Sequence, residues 1–268
     1  MLENAMNELF TLVAGELGVL ALAITRLTGL VITAPFGWEL APLRVRGAFV
    51  VVTALAVHGL HPKMLHSETL SPFDWGLLLV VEFLLGAAMG FVVRVTVSIA
   101  EMAGEAFSSA VGLGAAQMFD PQNGAPSTVM TRIFRTLTIL LALGVGAHRV
   151  VLGAVIESFR AAPVGGFYNP GASAEHLLSL VGTAIASGAR ISIPVIALLF
   201  MTQVALAFIS RAAPAMQIFS VGFAVTLGIG ALALVLTLPD TAHEMLVQLS
   251  YLGRHVESVA QASLGALP

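Results

Sequence analysis

The residues best suited to chemistry in this chain are a histidine-glutamate pair near its end and several carboxylates set inside apolar segments. His243-Glu244-Met245-Leu246-Val247 opens like the HExxH zinc-protease motif, in which two histidines one helical turn apart hold the metal and the glutamate activates water. Val247 stands where the second histidine would be, so no zinc site follows. His58, His61 and His66 lie in or beside a proline-containing stretch and read as parts of a solvated loop. There is no GxSxG elbow, no phosphate-binding GxxxxGKS/T loop and no nucleophile with a recognisable base. The chain also has no cysteine for a disulfide or thiolate site. No catalytic residue, metal ligand or cofactor is assigned, and an enzyme is not expected.

The carboxylates point elsewhere. The apolar stretch 75–113 is about 39 residues long, nearly twice what a bilayer needs, and it carries Glu82, Arg94, Glu101 and Glu105. On a helix turning ~100° per residue, Arg94, Glu101 and Glu105 share a stripe ~40° wide. Gly86, Gly90, Gly104 and Ser108 form a second stripe beside it, interrupted by Val97. Small residues, as in the Gly86 and Gly90 pair at GxxxG spacing, let another backbone approach closely. An ionised side chain at the bilayer centre costs ~3 kcal/mol or more unless it is paired or hydrated. Both stripes should therefore face protein. Glu101 and Glu105 repel each other and Arg94 lies too far back to pair with them, so a basic residue from another helix or subunit is implied. The face is expected to be a helix or subunit interface; an ion pair inside the chain's own bundle is the alternative.

The elements that position these residues follow from composition. Hydrophobic residues make up 57% of the chain and charged residues 10%, with a mean hydropathy of +0.95. A soluble domain of this size does not show such values. Six long apolar helical segments or hairpins are expected, at about 9–32, 47–60, 75–113, 131–159, 177–209 and 215–238. Proline and glycine punctuate them, and Pro239 is expected to stop the last. Open sheet edges cannot face lipid, and the alternation of a barrel strand is missing, which leaves an all-α integral membrane protein. Residues 243–261 differ: Leu246, Leu249, Leu252, Val256 and Val259 recur at helical spacing, with Glu244, Gln248, Arg254 and Glu257 elsewhere. They form an amphipathic helix, to lie on the membrane or on a partner.

With no linker, low-complexity tail or cleavable signal pattern, residues 1–268 read as a single domain. Arg44 and Arg46 mark their loop as the best cytoplasmic candidate, although the positive-inside signal is thin. Twelve scattered basic residues, with no run among them, argue against a nucleic-acid surface.

Between residues 103 and 166 the chain reads AGEAFSSAVGLGAAQMFDPQNGAPS, then GVGAHRVVLGAVIESF on a long apolar helix, then RAAPVGG. Residues 193–227 read IPVIALLFMTQVALAFISRAAPAMQIFSVGFAVTL, and an R(x)8PFG pattern begins at Arg26, followed by PLRVR from Pro42. In order and spacing these resemble the FliR family of flagellar export-gate proteins, with SctT-like relatives in injectisomes. The likeness covers a core of about 9–239, and the GF pattern of the last long helix favours the flagellar branch.

The resemblance implies an inner-membrane, basal-body protein built of long kinked helical hairpins, one copy joining several FliP- and FliQ-like subunits in a helical cone. It also implies an FlhB-like switch subunit and other basal-body proteins as neighbours, membrane lipid around it, and unfolded flagellar proteins as cargo. A virulence injectisome subunit, or a stand-alone transporter or channel, is the alternative. In the family the loop before Asp-Pro plugs the closed channel, which here corresponds to Gly112, Leu113, Gly114, Ala115, Ala116, Gln117, Met118, Phe119, Asp120, Pro121, Gln122, Asn123 and Gly124. Gly112 and Gly114 permit tight, mobile backbone, while Met118 and Phe119 are bulky apolar stoppers. Arg211 and Pro214 match the family's Arg-x-x-Pro junction between two helices, where Arg211 can bond carbonyls at a helix end.

Overall fold

The computed structural model describes residues 2–35, 41–58, 71–112, 129–166, 170–212 and 218–264. The elements among them are all α-helices: α1 (Leu2–Thr33), α2 (Leu43–His58), α3 (Pro72–Val111), α4 (Val129–Val145), α5 (Ala147–Ala161), α6 (Pro170–Ala212) and α7 (Ile218–Leu264). Among the described residues four segments are long and apolar enough to cross a membrane, namely Gly15–Thr33, Pro72–Val111, Ser173–Ala212 and Val221–Ala262, and α4 with α5 makes a fifth, broken candidate. The chain is thus an all-α, multi-pass membrane protein. At 1.5 Å per residue the 40 residues of α3 extend ~60 Å, about twice a hydrocarbon core.

Local sequence explains where helices begin and break. Ser71 and Asp74 form a reciprocal cap on α3: the Ser71 amide donates to Asp74 Oδ2 (2.9 Å), and the Asp74 amide donates to Ser71 Oγ (3.3 Å). Pro72, at the first helical position, needs no amide partner. The helix expected over 131–159 is interrupted at Gly146, whose φ of 78° lies in the left-handed region and cannot continue a helix.

Pro239, in contrast, does not stop its helix. The apolar segment and the amphipathic stretch expected as separate elements are one helix, α7, and Pro194 likewise lies inside α6. Each ring removes the amide that the carbonyl four residues back would accept, that of Val235 for Pro239 and of Arg190 for Pro194, while hydroxyls nearby bond neighbouring carbonyls: Thr237 Oγ1 donates to Ala233 O (2.8 Å), Thr241 Oγ1 to Thr237 O (2.9 Å) and Ser192 Oγ to Gly188 O (2.7 Å). Apolar surroundings favour this outcome over a broken helix with bare backbone.

The chain divides into two compact units. The first comprises Met1–Val95, Gly146–Val181 and Tyr251–Pro268, and Leu22, Leu27, Met89, Val93, Phe159 and Val256 are buried in it. The second comprises Thr96–Val145 and Gly182–Ser250, with a core of Phe107, Val111, Val195, Leu199 and Ala233. The apolar face expected on the C-terminal amphipathic stretch is buried in the protein itself: Leu249, Leu252, Val256 and Val259 are each at most 4% exposed, while Arg254 and Glu257 point outward.

Candidate functional site

Two clusters on α3 carry the polar residues that an apolar helix must explain, one in each unit. In the first unit, α3 meets α1 through glycine. A methyl group at Gly86 would overlap the Arg26 carbonyl, one at Gly90 would overlap the Thr33 hydroxyl, and one at Gly29 would strike the Phe83 carbonyl. The two backbones therefore touch, and Thr33 Oγ1 also donates to Ala87 O (3.2 Å).

One turn before Gly86, on the same face, this approach brings Glu82 to Arg26. Arg26 Nε donates to Glu82 Oε2 at 2.6 Å, and both side chains are 0% exposed. Every remaining group of the pair that is seen finds a partner: Arg26 Nη1 donates to Ala162 O (3.0 Å) and Ser158 O (3.4 Å), and Gly165 N donates to Glu82 Oε1 (3.0 Å). The guanidinium also lies 4.4 Å from the Phe159 ring centroid. A buried ion pair offsets its desolvation only with such saturation. The node ties α1, α3, the end of α5 and the turn that follows it, where Gly165 has φ 82°.

Sequence alone puts Arg26 and Glu82 in two separate apolar segments and does not pair them. The sequence signal is a carboxylate one turn from a GxxxG pair and an arginine in another apolar helix, opposite charges whose meeting only the helix packing establishes. Arg94, farther along α3, is exposed.

In the second unit Gly104 meets α4, a methyl there lying 2.8 Å from Thr131 Cα and 2.9 Å from Met130 O. Glu101 pairs with Arg135 Nε of α4 (3.3 Å), the basic partner from another helix that the charge stripe requires. Glu105 is exposed and accepts from Thr131 Oγ1 (2.8 Å). Ser108 is fully buried, and its hydroxyl has no hydrogen-bond partner among the described residues.

The last turn of α3 is held from below. Phe107 and Val111 pack with Val195 and Leu199 of α6 and Ala233 of α7, and Gly230 makes room for Val111. Gln203 Nε2 donates to Ala110 O (3.0 Å). Gly112, with φ 87°, then turns the chain out of the helix. Residues 113–124 of the expected plug lie outside the described residues, as does Pro214; Arg211 is exposed at the end of α6.

Among the described residues no three His, Cys, Asp or Glu side chains come within metal-binding reach. Glu244 accepts from Gln248 Nε2 (3.0 Å), and His243 is exposed.

Large apolar surfaces remain. Only 17% of the spanning windows of α6 and α7 is buried, against 44% for α3. Phe200, Met201 and Phe208 of α6 and Leu232, Val235 and Leu236 of α7 are exposed. Gly182 and Gly228 have open space where a side chain would stand.

Comparison with known proteins gives these features a family. The model of bacterial export proteins, family 1, matches residues 17–251. The flagellar biosynthetic protein FliR of Pectobacterium carotovorum is 34% identical over 164 residues, which is 60% of this chain and 62% of that protein, so the alignment spans less than two thirds of that relative. FliR of Escherichia coli K12 is 28% identical over 219 residues, covering 81% of this chain and 82% of the relative. FliR of Caulobacter vibrioides is 26% identical over 227 residues, covering 84% and 90%. With its membrane helices and a family match across nearly its whole length, the chain belongs to the bacterial export proteins, family 1, the family of the flagellar biosynthetic protein FliR.

Proposed function

We propose that this chain is the single-copy subunit of a flagellar type III protein-export gate in the bacterial inner membrane. It assembles with FliP- and FliQ-like subunits around a channel for unfolded flagellar proteins, at the basal body and beside an FlhB-like switch subunit. It acts without catalysis of its own. The observation that carries this reading is the sparse burial of α6 and α7, whose apolar and glycine surfaces need a neighbour as well as lipid. Affinity purification of the intact chain in mild detergent, followed by mass measurement, should give one copy in a large heteromer. A solitary monomer that moves a solute in liposomes would instead favour a stand-alone channel.

Within this reading the segment from Gly112 to Gly124 is the plug. Its base is suited to that role, because the turn of α3 from which it leaves is locked into the α6 and α7 core. A firm base lets a glycine-flanked tip close a pore without moving the wall.

The exposed charges of α3, Arg94 and Glu105, belong to the surface that meets another subunit, with Arg211 and Pro214 shaping the junction between α6 and α7. Reversing the charge with Glu105→Lys should sharply lower both recovered complex and export, since like charges set together at an interface cost several kcal/mol. Wild-type assembly and export in that variant would remove Glu105 from the interface.

A further inference from the structure

Within the second unit, Arg190 and Pro194 of α6 face Thr237, Asp240, Thr241 and Glu244 of α7 across a cavity of about 250 Å³. The two helices are tied at both ends of it. Gln248 Nε2 donates to Ser187 Oγ (3.1 Å) at one end, and Leu199 shares a core with Ala233 at the other. The cavity is thus a preformed opening, smaller than the ~300 Å³ at which small-molecule sites begin and suited to a side chain.

Its polar lining is one-sided. Thr237 Oγ1 and Thr241 Oγ1 direct their hydrogens to Ala233 O and Thr237 O and keep lone pairs free. Pro194 leaves the Arg190 carbonyl without its helical amide. Asp240 and Glu244 add carboxylates one turn apart on α7, against the single guanidinium of Arg190, so acceptors outnumber donors and one negative charge is in excess. Among the described residues neither Arg190 nor Asp240 has an ion-pair partner, and Glu244 is bonded by the neutral amide of Gln248.

We infer that this groove receives one basic side chain, a lysine or arginine, from a neighbouring subunit. The inference rests on the reading of α6 and α7 as a surface that a neighbour covers. Leu198, one turn beyond Pro194 on the same face, is exposed, so the covering surface is apolar around that one charge. An apolar cover alone would bury the excess negative charge without a partner, which an interface does not tolerate. A cation seated between Asp240 and Glu244, with Arg190 across the groove, brings the sum to zero, and its several N–H donors meet the free acceptors. An acidic side chain would satisfy Arg190 and set three carboxylates together.

The test uses the full chain in its membrane complex, extracted in mild detergent, with a photo-crosslinking amino acid at Leu198. Peptide mapping should join that position to a partner-subunit segment that carries a lysine or arginine. Asp240→Asn with Glu244→Gln should lower recovered complex about thirtyfold, the lower end for unpairing a charge covered at an interface. An acidic substitution of the captured basic residue should cause the same loss. Combining it with Asp240→Lys should restore recovery about tenfold, which a folding defect would not allow. An intact heteromer in which position 198 captures no partner, or captures a segment without a basic residue, would overturn the inference. So would normal assembly of the acidic double variant. A larger loss from Arg190→Gln than from that variant would overturn it by assigning the groove to an acidic side chain. A chain that purifies alone would remove the gate reading itself, and this inference with it.

Discussion

Arg26→Met should destabilise the first unit by about 3–5 kcal/mol, the usual result of leaving one half of a buried ion pair behind. Glu82 would keep its bond from Gly165 but lose the charge 2.6 Å away, in a place where neither side chain reaches solvent. Glu82→Leu should be comparably damaging for the converse reason, stranding a guanidinium against Phe159. The double variant should recover part of the loss, because no bare charge remains. It should not recover all of it, since the Gly165 amide and the Ser158 and Ala162 carbonyls lose partners worth ~1–3 kcal/mol each when buried. Thermal unfolding of the purified complex and the steady-state amount of protein in membranes measure the four corners of this cycle. Strict additivity of the two single variants would mean that the pair is not coupled. Gly86→Leu, which drives a side chain into the Arg26 carbonyl, should resemble Arg26→Met without touching either charge.

Deleting residues 115–123 should make the membrane leak small ions while the complex still assembles. The deletion spares Gly112 and the packed turn of Phe107 and Val111, so the α3 base should survive. If an apolar seal raises the barrier to an ion by even ~3 kcal/mol, removing it raises the flux about a hundredfold. Ion flux through purified, reconstituted complex measures this directly. A parent-level conductance in an intact complex of normal mass would contradict the plug.

How far residues spoke for themselves varied with the range of the interaction. The excess length of α3, its glycine spacing and the need of Glu101 for a basic partner on another helix were all readable from one segment, because helical periodicity fixes which residues share a face. Arg135 then supplies that partner. The Arg26 and Glu82 node was not readable in the same way. Its halves lie 56 residues apart, and only the close approach at Gly86 and Gly90 shows that they meet.

Proline and glycine rules gave mixed guidance for a similar reason. Gly146 broke a helix that looked continuous, by adopting a backbone conformation no periodicity reveals. Pro239 failed to break one, because in an apolar setting a broken helix would leave several backbone groups bare, where the ring inside a continuous helix costs a single amide. The amphipathic tail likewise buries its apolar stripe within the chain, an outcome that hydrophobic spacing alone does not distinguish from a membrane surface.

The export role is tested most directly by placing a photo-crosslinking amino acid at Phe119 and stalling a flagellar export substrate in transit with a folded fusion at its end. The tip of a channel plug should crosslink to the stalled polypeptide, and a probe at Phe208, exposed on α6, should not. Crosslinking at Phe208 with none at Phe119, in a complex that still exports, would contradict the account.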